Sequence, residues 1–252
     1  MKTFALLCPT RQRPDFVKDY LDSIENTVKY PERITVMIGY DDDDTLTEEL
    51  MSNIKTYPFK IRWCKRERSI FINKDYYNWL AEQVATEDSN YIFVNADDVR
   101  HIVKDWDVTI ESKIEMYCND KPDRLIGIGV KDNTPKPKAS LPEFPCFPLV
   151  TRESFNHFKF VLHPYIPTWG ADYTFYRLYF DSGRYLAIDD KIYMHHIGVH
   201  TKTAPKDATA LQVEKTFNAL KGNPKYSTDY HLANSIPNEV TTFKNHLRGI
   251  NK

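Results

Sequence analysis

An α/β fold with a mostly parallel central sheet and helices on both faces is predicted by three observations. Short apolar runs alternate with helix-periodic segments through the first half of the chain, several runs end in polar tips, and the regularity stops at a proline-rich stretch after Val130. The strand-like runs are Phe4 to Cys8, Ile34 to Gly39, Lys60 to Cys64, Tyr91 to Val94 and Leu125 to Val130. Between the first two, Phe16, Val17, Tyr20, Leu21, Ile24 and Val28 recur at helical spacing, and Pro14 suits a first helical turn. Further helices are predicted from Leu46 to Ile54, from Ile72 to Val84, and from Trp106 to Tyr117, where Trp106, Ile110, Ile114 and Tyr117 form one stripe. Such alternation builds parallel sheets covered on both faces, and ligands on these sheets sit beyond the strand C-termini.

Lys131 to Pro148 contains Pro135, Pro137, Pro142, Pro145 and Pro148 and reads as a long crossing loop, because proline propagates neither a helix nor a ladder. An aromatic-rich region from Leu149 to Val199 follows, with a helix over Tyr173 to Ser182 and a strand over Lys191 to Met194. Amphipathic helices around Leu211 to Leu220 and Val240 to Leu247 form a C-terminal helical tail. The 252 residues are 41% hydrophobic and 27% charged, which suits one large domain with a sizeable core. With Lys+Arg 34 against Asp+Glu 35, the net charge of -1 gives no global attraction to nucleic acid or anionic membrane. Cys8, Cys64, Cys118 and Cys146 lack metal or disulfide spacing. The apolar run before Pro9 is too short for a signal peptide or a membrane span, so an intracellular, cytoplasmic protein is expected.

The polar tips carry the chemistry. The first strand leads into Pro9-Thr10-Arg11-Gln12-Arg13-Pro14, the second into Tyr40-Asp41-Asp42-Asp43-Asp44, and the fourth into Asn95-Ala96-Asp97-Asp98. On one edge of a parallel sheet these tips would share one site, with oxygen ligands for a divalent cation against a diphosphate. For Asp43 and Asp44 the plainer reading is a helix N-cap. Two later constellations stand out: Pro167-Thr168-Trp169-Gly170-Ala171-Asp172-Tyr173, opening a helix, and Met194-His195-His196-Ile197-Gly198-Val199-His200. Asp172 suits an N-cap as well as a base, and Trp169 offers a stacking face. Strand alternation sends His195 and His196 to opposite faces, so one of them at most meets a given metal. No serine-hydrolase elbow, phosphate loop or His-Glu-x-x-His motif is present, and Gly127-Ile-Gly129 lacks the third glycine of a dinucleotide fingerprint.

In order and spacing these motifs resemble the GT-A glycosyltransferases, most closely those of family 2, over roughly Phe4 to Val199. The resemblance implies a GT-A fold in residues 1–200, with 1–130 the donor-nucleotide half and 131–200 the acceptor half, followed by a helical extension over 201–252. It implies donor-nucleotide contacts from Pro9, Thr10, Arg11, Arg13, Asp41, Asp42, Asn95 and Ala96, with Mn2+ or Mg2+ held by Asp97 and by His195 or His196. It makes Asp172 the base that deprotonates an acceptor hydroxyl, and places Trp169, Gly170 and Arg177 beside the acceptor. Two departures are visible: Asn95 stands where the family's metal motif often has its first acid, and Ala171 where a companion acid usually precedes the base.

The expected activity is inverting transfer of a sugar from a nucleoside diphosphate, most simply a UDP-sugar, to a saccharide or similar hydroxyl. Lys60, Arg62, Lys65, Arg66 and Arg68 around Trp63, and Lys202, Lys206, Lys215, Lys221 and Lys225 in the tail, raise a second possibility: a hydroxylated nucleobase in DNA as acceptor. A third is a nucleotide-sugar-binding module of the same fold that lacks turnover, for which the two departures speak. A nucleotidylyltransferase would need a Gly-rich N-terminal loop, which the chain lacks.

Overall fold

The computed structural model describes residues 1–85, 89–134, 144–197, 208–220 and 222–250. Seven strands form the main sheet in the order β3-β2-β1-β4-β7-β6-β8. These are β1 (Phe4–Pro9), β2 (Ile34–Asp41), β3 (Lys60–Arg66), β4 (Tyr91–Val94), β6 (Gly127–Val130), β7 (Pro148–Thr151) and β8 (Tyr185–Ile188). The first four pair in parallel, β7 runs antiparallel between β4 and β6, and β8 is parallel to β6. Every residue of β4, β6 and β7 is buried. Since successive side chains point to opposite faces, both faces of the sheet are covered.

The helices of the first half follow the predicted stripes. In α1 (Pro14–Thr27), Val17, Tyr20, Leu21 and Ile24 are buried, and in α4 (Trp106–Cys118), Trp106, Ile110 and Ile114. Tyr117 leaves that stripe part-exposed, and its hydroxyl donates to the Tyr185 carbonyl at 3.1 Å. Between them lie α2 (Thr45–Asn53) and α3 (Trp79–Ala85), the latter continuous with a π-helical turn over Asn73–Asn78, so the predicted Ile72 to Val84 helix is present with a π turn in its first half.

The second half departs further from expectation. Pro148 belongs to no loop: it opens β7, where a proline costs no ladder bond that an inner position would need. Pro135, Pro137 and Pro142 lie outside the described residues. The strand expected over Lys191 to Met194 instead spans Met194–His196, as β9, and pairs antiparallel with β5 (Val99–His101) in a separate two-stranded sheet. Gly127 and Gly129 owe their identity to packing, because a Cβ at either would collide with the ring of Tyr179 or the hydroxyl of Tyr185. After α5 (Arg152–Phe158) and α6 (Ala171–Asp181) come α7 (Ala208–Leu220), the single turn α8 (Thr228–Tyr230) and α9 (Ile236–Ile250). Ile236, Val240, Phe243 and Leu247 make the buried stripe of α9, and the Phe243 ring lies 4.8 Å from that of Phe158. No helix among the described residues is long and apolar enough to cross a membrane.

Candidate active site

The C-terminal tips of β1, β2 and β4 meet as the parallel arrangement requires. Thr10 N donates to the Gly39 carbonyl at 2.8 Å, which carries the β1–β2 ladder one residue past Pro9. Arg11 then reaches across to Asp41, with Nη1 donating to Oδ2 at 2.5 Å, and to both oxygens of Asp43. Asp44 caps α2 by accepting from Thr47 N at 3.1 Å and also takes Gln12 N at 2.8 Å, so this carboxylate is structural. Buried Asp41 has its second oxygen taken by the Tyr76 hydroxyl. Burial first, and that hydrogen bond second, push the Tyr76 phenol well above its usual range. Asp42 is exposed and does not line the cavity formed here.

At the tip of β4 four consecutive residues take four environments. The Asn95 side chain is fully buried and turned into the core, where Oδ1 sits 2.9 Å from His101 Nε2, so it is not brought to the cavity. Burial depresses His101 to about 3, which leaves this imidazole neutral and makes a neutral amide its natural partner. Ala96 lines the cavity. Asp97 accepts from the Thr10 hydroxyl at 2.8 Å and faces Arg13 Nη1 at 3.3 Å. Burial and the neighbouring charge of Asp98 raise it to about 6 despite those partners. Asp98 is half-buried, and His196 and Arg13 outweigh its desolvation and hold its carboxyl below the usual carboxylate range.

His196 reaches Asp98 because β9 pairs with β5, which follows Asp98 directly: Val99 registers with His196, and Ile197 N donates to the Asp98 carbonyl at 2.7 Å. His196 Nε2 lies 3.3 Å from Asp98 Oδ2, while Nδ1 lies 3.0 Å from the Thr134 hydroxyl. His195 falls on the other face of β9 and is exposed, so of the two histidines His196 is the one that lines the cavity. Asp98 Oδ1 is buried without a hydrogen-bond partner. Among the described residues no three acidic, His or Cys side chains already surround one point. Two carboxylates, one with an orphaned oxygen, and an imidazole nonetheless fit an oxygen-preferring divalent ion that takes further ligands from a diphosphate.

The opposite wall is the segment leading into α6. Gly170 takes the left-handed conformation at φ 90°, where a Cβ would strike Thr228, and so forms the N-cap of α6 that Asp172 was a candidate for. Asp172 occupies the first turn, accepts from Tyr173 N at 2.8 Å and lines the cavity. Trp169 also lines it, with its ring 5.1 Å from that of Phe217 of α7, and α7 adds Gln212, Glu214 and Thr216. Arg177 does not reach the cavity: it pairs with Asp181 one helical turn on, at 2.7 Å. Arg68 of the basic cluster lines the cavity, as do Tyr76, Tyr77 and Asn73, which the sequence motifs do not single out. The available signal is the pair Asn73 and Asn78, polar residues on the face of this helix that Tyr76 and Leu80 bury.

Together these walls enclose about 780 Å3, within the range of small-molecule and cofactor sites. No protein-family model matches the chain, and no curated protein matches it. Among solved structures, S. aureus TarS 1-349 in complex with UDP matches with a TM-score of 0.54 and 13% identity, over 88% of this chain and 72% of that one. The mannosyltransferase PcManGT from Pyrobaculum calidifontis, in complex with GDP-Man and Mn2+, matches with a TM-score of 0.58 and 12% identity, over 95% of this chain and 72% of that one. At such identities the likeness concerns the fold, and the chain has the GT-A glycosyltransferase fold.

Proposed function

We propose that the chain is a divalent-metal-dependent glycosyltransferase that moves a sugar, with inversion, from a nucleoside diphosphate to an acceptor hydroxyl. The observation that carries this reading is the charge balance of the cavity. Arg11, Arg13 and Arg68 are the cations a diphosphate would meet, and they already face Asp41, Asp43 and Asp97, with Asp98 beside them. A diphosphate entering such a site needs further positive charge, and the orphaned Asp98 oxygen with Asp97 and His196 would hold it. Bound there, Mn2+ or Mg2+ would neutralise charge developing on the leaving diphosphate.

The chain's own residues would then act in two places. Pro9, Thr10, Arg11, Arg13 and Asp41 line the donor end with Ala96, while Asp172 and Trp169 face them from the other wall. Asp172 would take the proton of the acceptor hydroxyl as its oxygen bonds to the anomeric carbon. The bond from that carbon to the diphosphate oxygen breaks, and its electron pair leaves with the diphosphate.

A saccharide acceptor is favoured over a nucleobase in DNA. Trp169 offers a stacking face to a sugar or a base alike, but Asp172 and Glu214 on the same wall oppose a polyanion. The basic cluster on β3 is also partly consumed, Lys65 by Glu48 at 2.6 Å and Arg66 by stacking on Tyr76 and Trp79. Incubation with Mn2+ and a panel of nucleotide sugars that includes UDP-GlcNAc and GDP-mannose tests the reading. Slow metal-dependent release of nucleoside diphosphate is expected; donor binding without release would leave a binding module, and neither binding nor release would end the proposal.

A further inference from the structure

The π turn over Asn73–Asn78 sends side chains to both walls of the cavity. The Tyr76 hydroxyl donates to Asp41 at the β2 tip, and that of Tyr77 to the Asn95 carbonyl at the β4 tip, at 2.9 Å. Asn78 faces the opposite wall: its Oδ1 accepts from Val161 N and Leu162 N at 2.9 and 3.1 Å, and its Nδ2 donates to the Leu162 carbonyl at 2.7 Å. Asn73 grips that wall further along. Its side-chain Nδ2 donates to the carbonyls of Ile166 and Thr168, both at 2.7 Å, and its backbone N to that of Pro167 at 3.2 Å.

Three consecutive carbonyls are thus satisfied by one residue, in a segment that has no ladder of its own to satisfy them. The next residues are Trp169, Gly170, Ala171 and Asp172. Asn73 is 3% exposed, so its amide is fixed, and π turns interrupting helices recur at functional sites. We propose that Asn73 is a positioning residue, whose amide sets Trp169 and Asp172 against the half of the cavity that the same π turn holds through Tyr76 and Tyr77. Its kinetic consequence rests on the glycosyltransferase reading, whereas its structural consequence does not.

The test combines 19F NMR of 5-fluorotryptophan-labelled protein with donor turnover. Trp169→Phe assigns the Trp169 resonance, and the fully buried Trp106 serves as an internal control of the fold. In Asn73→Ala the Trp169 resonance is expected to shift or broaden while that of Trp106 stays in place, and Asn73→Ser, which keeps one donor, to recover part of the change. Affinity for UDP and GDP with Mn2+ should stay within about twofold, while release of nucleoside diphosphate from UDP-GlcNAc or GDP-mannose falls about tenfold to a hundredfold, the size of loss that small misplacement of a reacting group causes. An unmoved Trp169 resonance in both variants, or a nucleotide affinity that falls as far as turnover does, would overturn the proposal. If the wild-type protein turns over no nucleotide sugar, the functional reading fails, and the Trp169 resonance still decides whether Asn73 sets this wall.

Discussion

The two walls of the cavity are held by different forces. On the wall built from the strand tips, fixed charges brace one another: Arg11 against Asp41 and Asp43, Arg13 against Asp97, and His196 against Asp98. The wall that carries Trp169 and Asp172 is held by neutral amides, with Asn73 and Asn78 bonded to loop backbone. Changes to the first wall should therefore respond to pH, salt and metal, because they alter a charge balance. Changes to the amides that hold the second should alter geometry and be indifferent to all three.

The largest effect separates the walls by step. Asp172→Asn keeps the side-chain size and its acceptance from Tyr173 N but cannot take a proton, so transfer should fall by about two to four orders of magnitude. Nucleotide affinity should be unchanged. Transfer at near wild-type rate would assign Asp172 to the helix alone.

On the charged wall, Asp98→Asn removes the charge beside the orphaned oxygen. Loss of groups that merely support a metal ligand costs about 10-fold to 100-fold in affinity, so Mn2+-supported UDP or GDP binding should weaken by about 100-fold or more. Calorimetry with and without Mn2+ measures it; equal losses in both conditions would place Asp98 outside metal binding. A pH dependence accompanies this. With the Asp97 carboxyl raised above the usual range by burial and by Asp98, protons and Mn2+ compete for it, and metal-supported binding should decline on mild acidification. For folding, an ionised Asp97 raised by burial works against the fold and that cost fades as it protonates, whereas Asp98, held below the usual range, loses its stabilisation only at lower pH.

On the neutral wall, Asn78→Ala strands Val161 N and Leu162 N and should destabilise the protein by about 2–4 kcal/mol. Urea unfolding at low and high salt is the measurement. Equal losses at both salts are expected, and a salt-dependent loss would erase the contrast between the walls.

What the sequence made legible follows the same division. The parallel strands and the stripes of α1 and α4 were readable because burial on known faces dictates period two or 3.6. Pro9, Thr10, Arg11, Arg13, Asp41, Asp97 and Asp172 are legible at the cavity because strand tips and helix starts can be located from such periods. The antiparallel β7, the π turn and the pairing of β5 with β9 were not readable, since each depends on contacts far apart in the chain. Side-chain direction was equally hidden: Asp42, Asn95, His195 and Arg177 carry plausible groups on the right elements and point elsewhere.

Asn95 offers the smallest and most specific test, because it lies on the charged wall's own strand yet behaves like the neutral wall. Its amide meets His101, whose folded-state value of about 3 lies below the ordinary 6.5. The unfolded chain takes up a proton below 6.5 that the folded chain refuses until about 3, so wild-type stability is lost as pH falls through that window. Asn95→Asp would place an acid in full burial beside the imidazole, where the two can only form a buried ion pair or share one proton. His101 would then hold its proton in the fold, and the loss of stability on acidification should flatten. At neutral pH the variant should be less stable by about 1–2 kcal/mol, with Mn2+-supported nucleotide binding unchanged, since the side chain does not reach the cavity. Urea midpoints across the window, with calorimetry at neutral pH, measure both. A gain in Mn2+ affinity would mean that residue 95 turns toward the metal, and an unchanged acid slope would mean that His101 is not its partner.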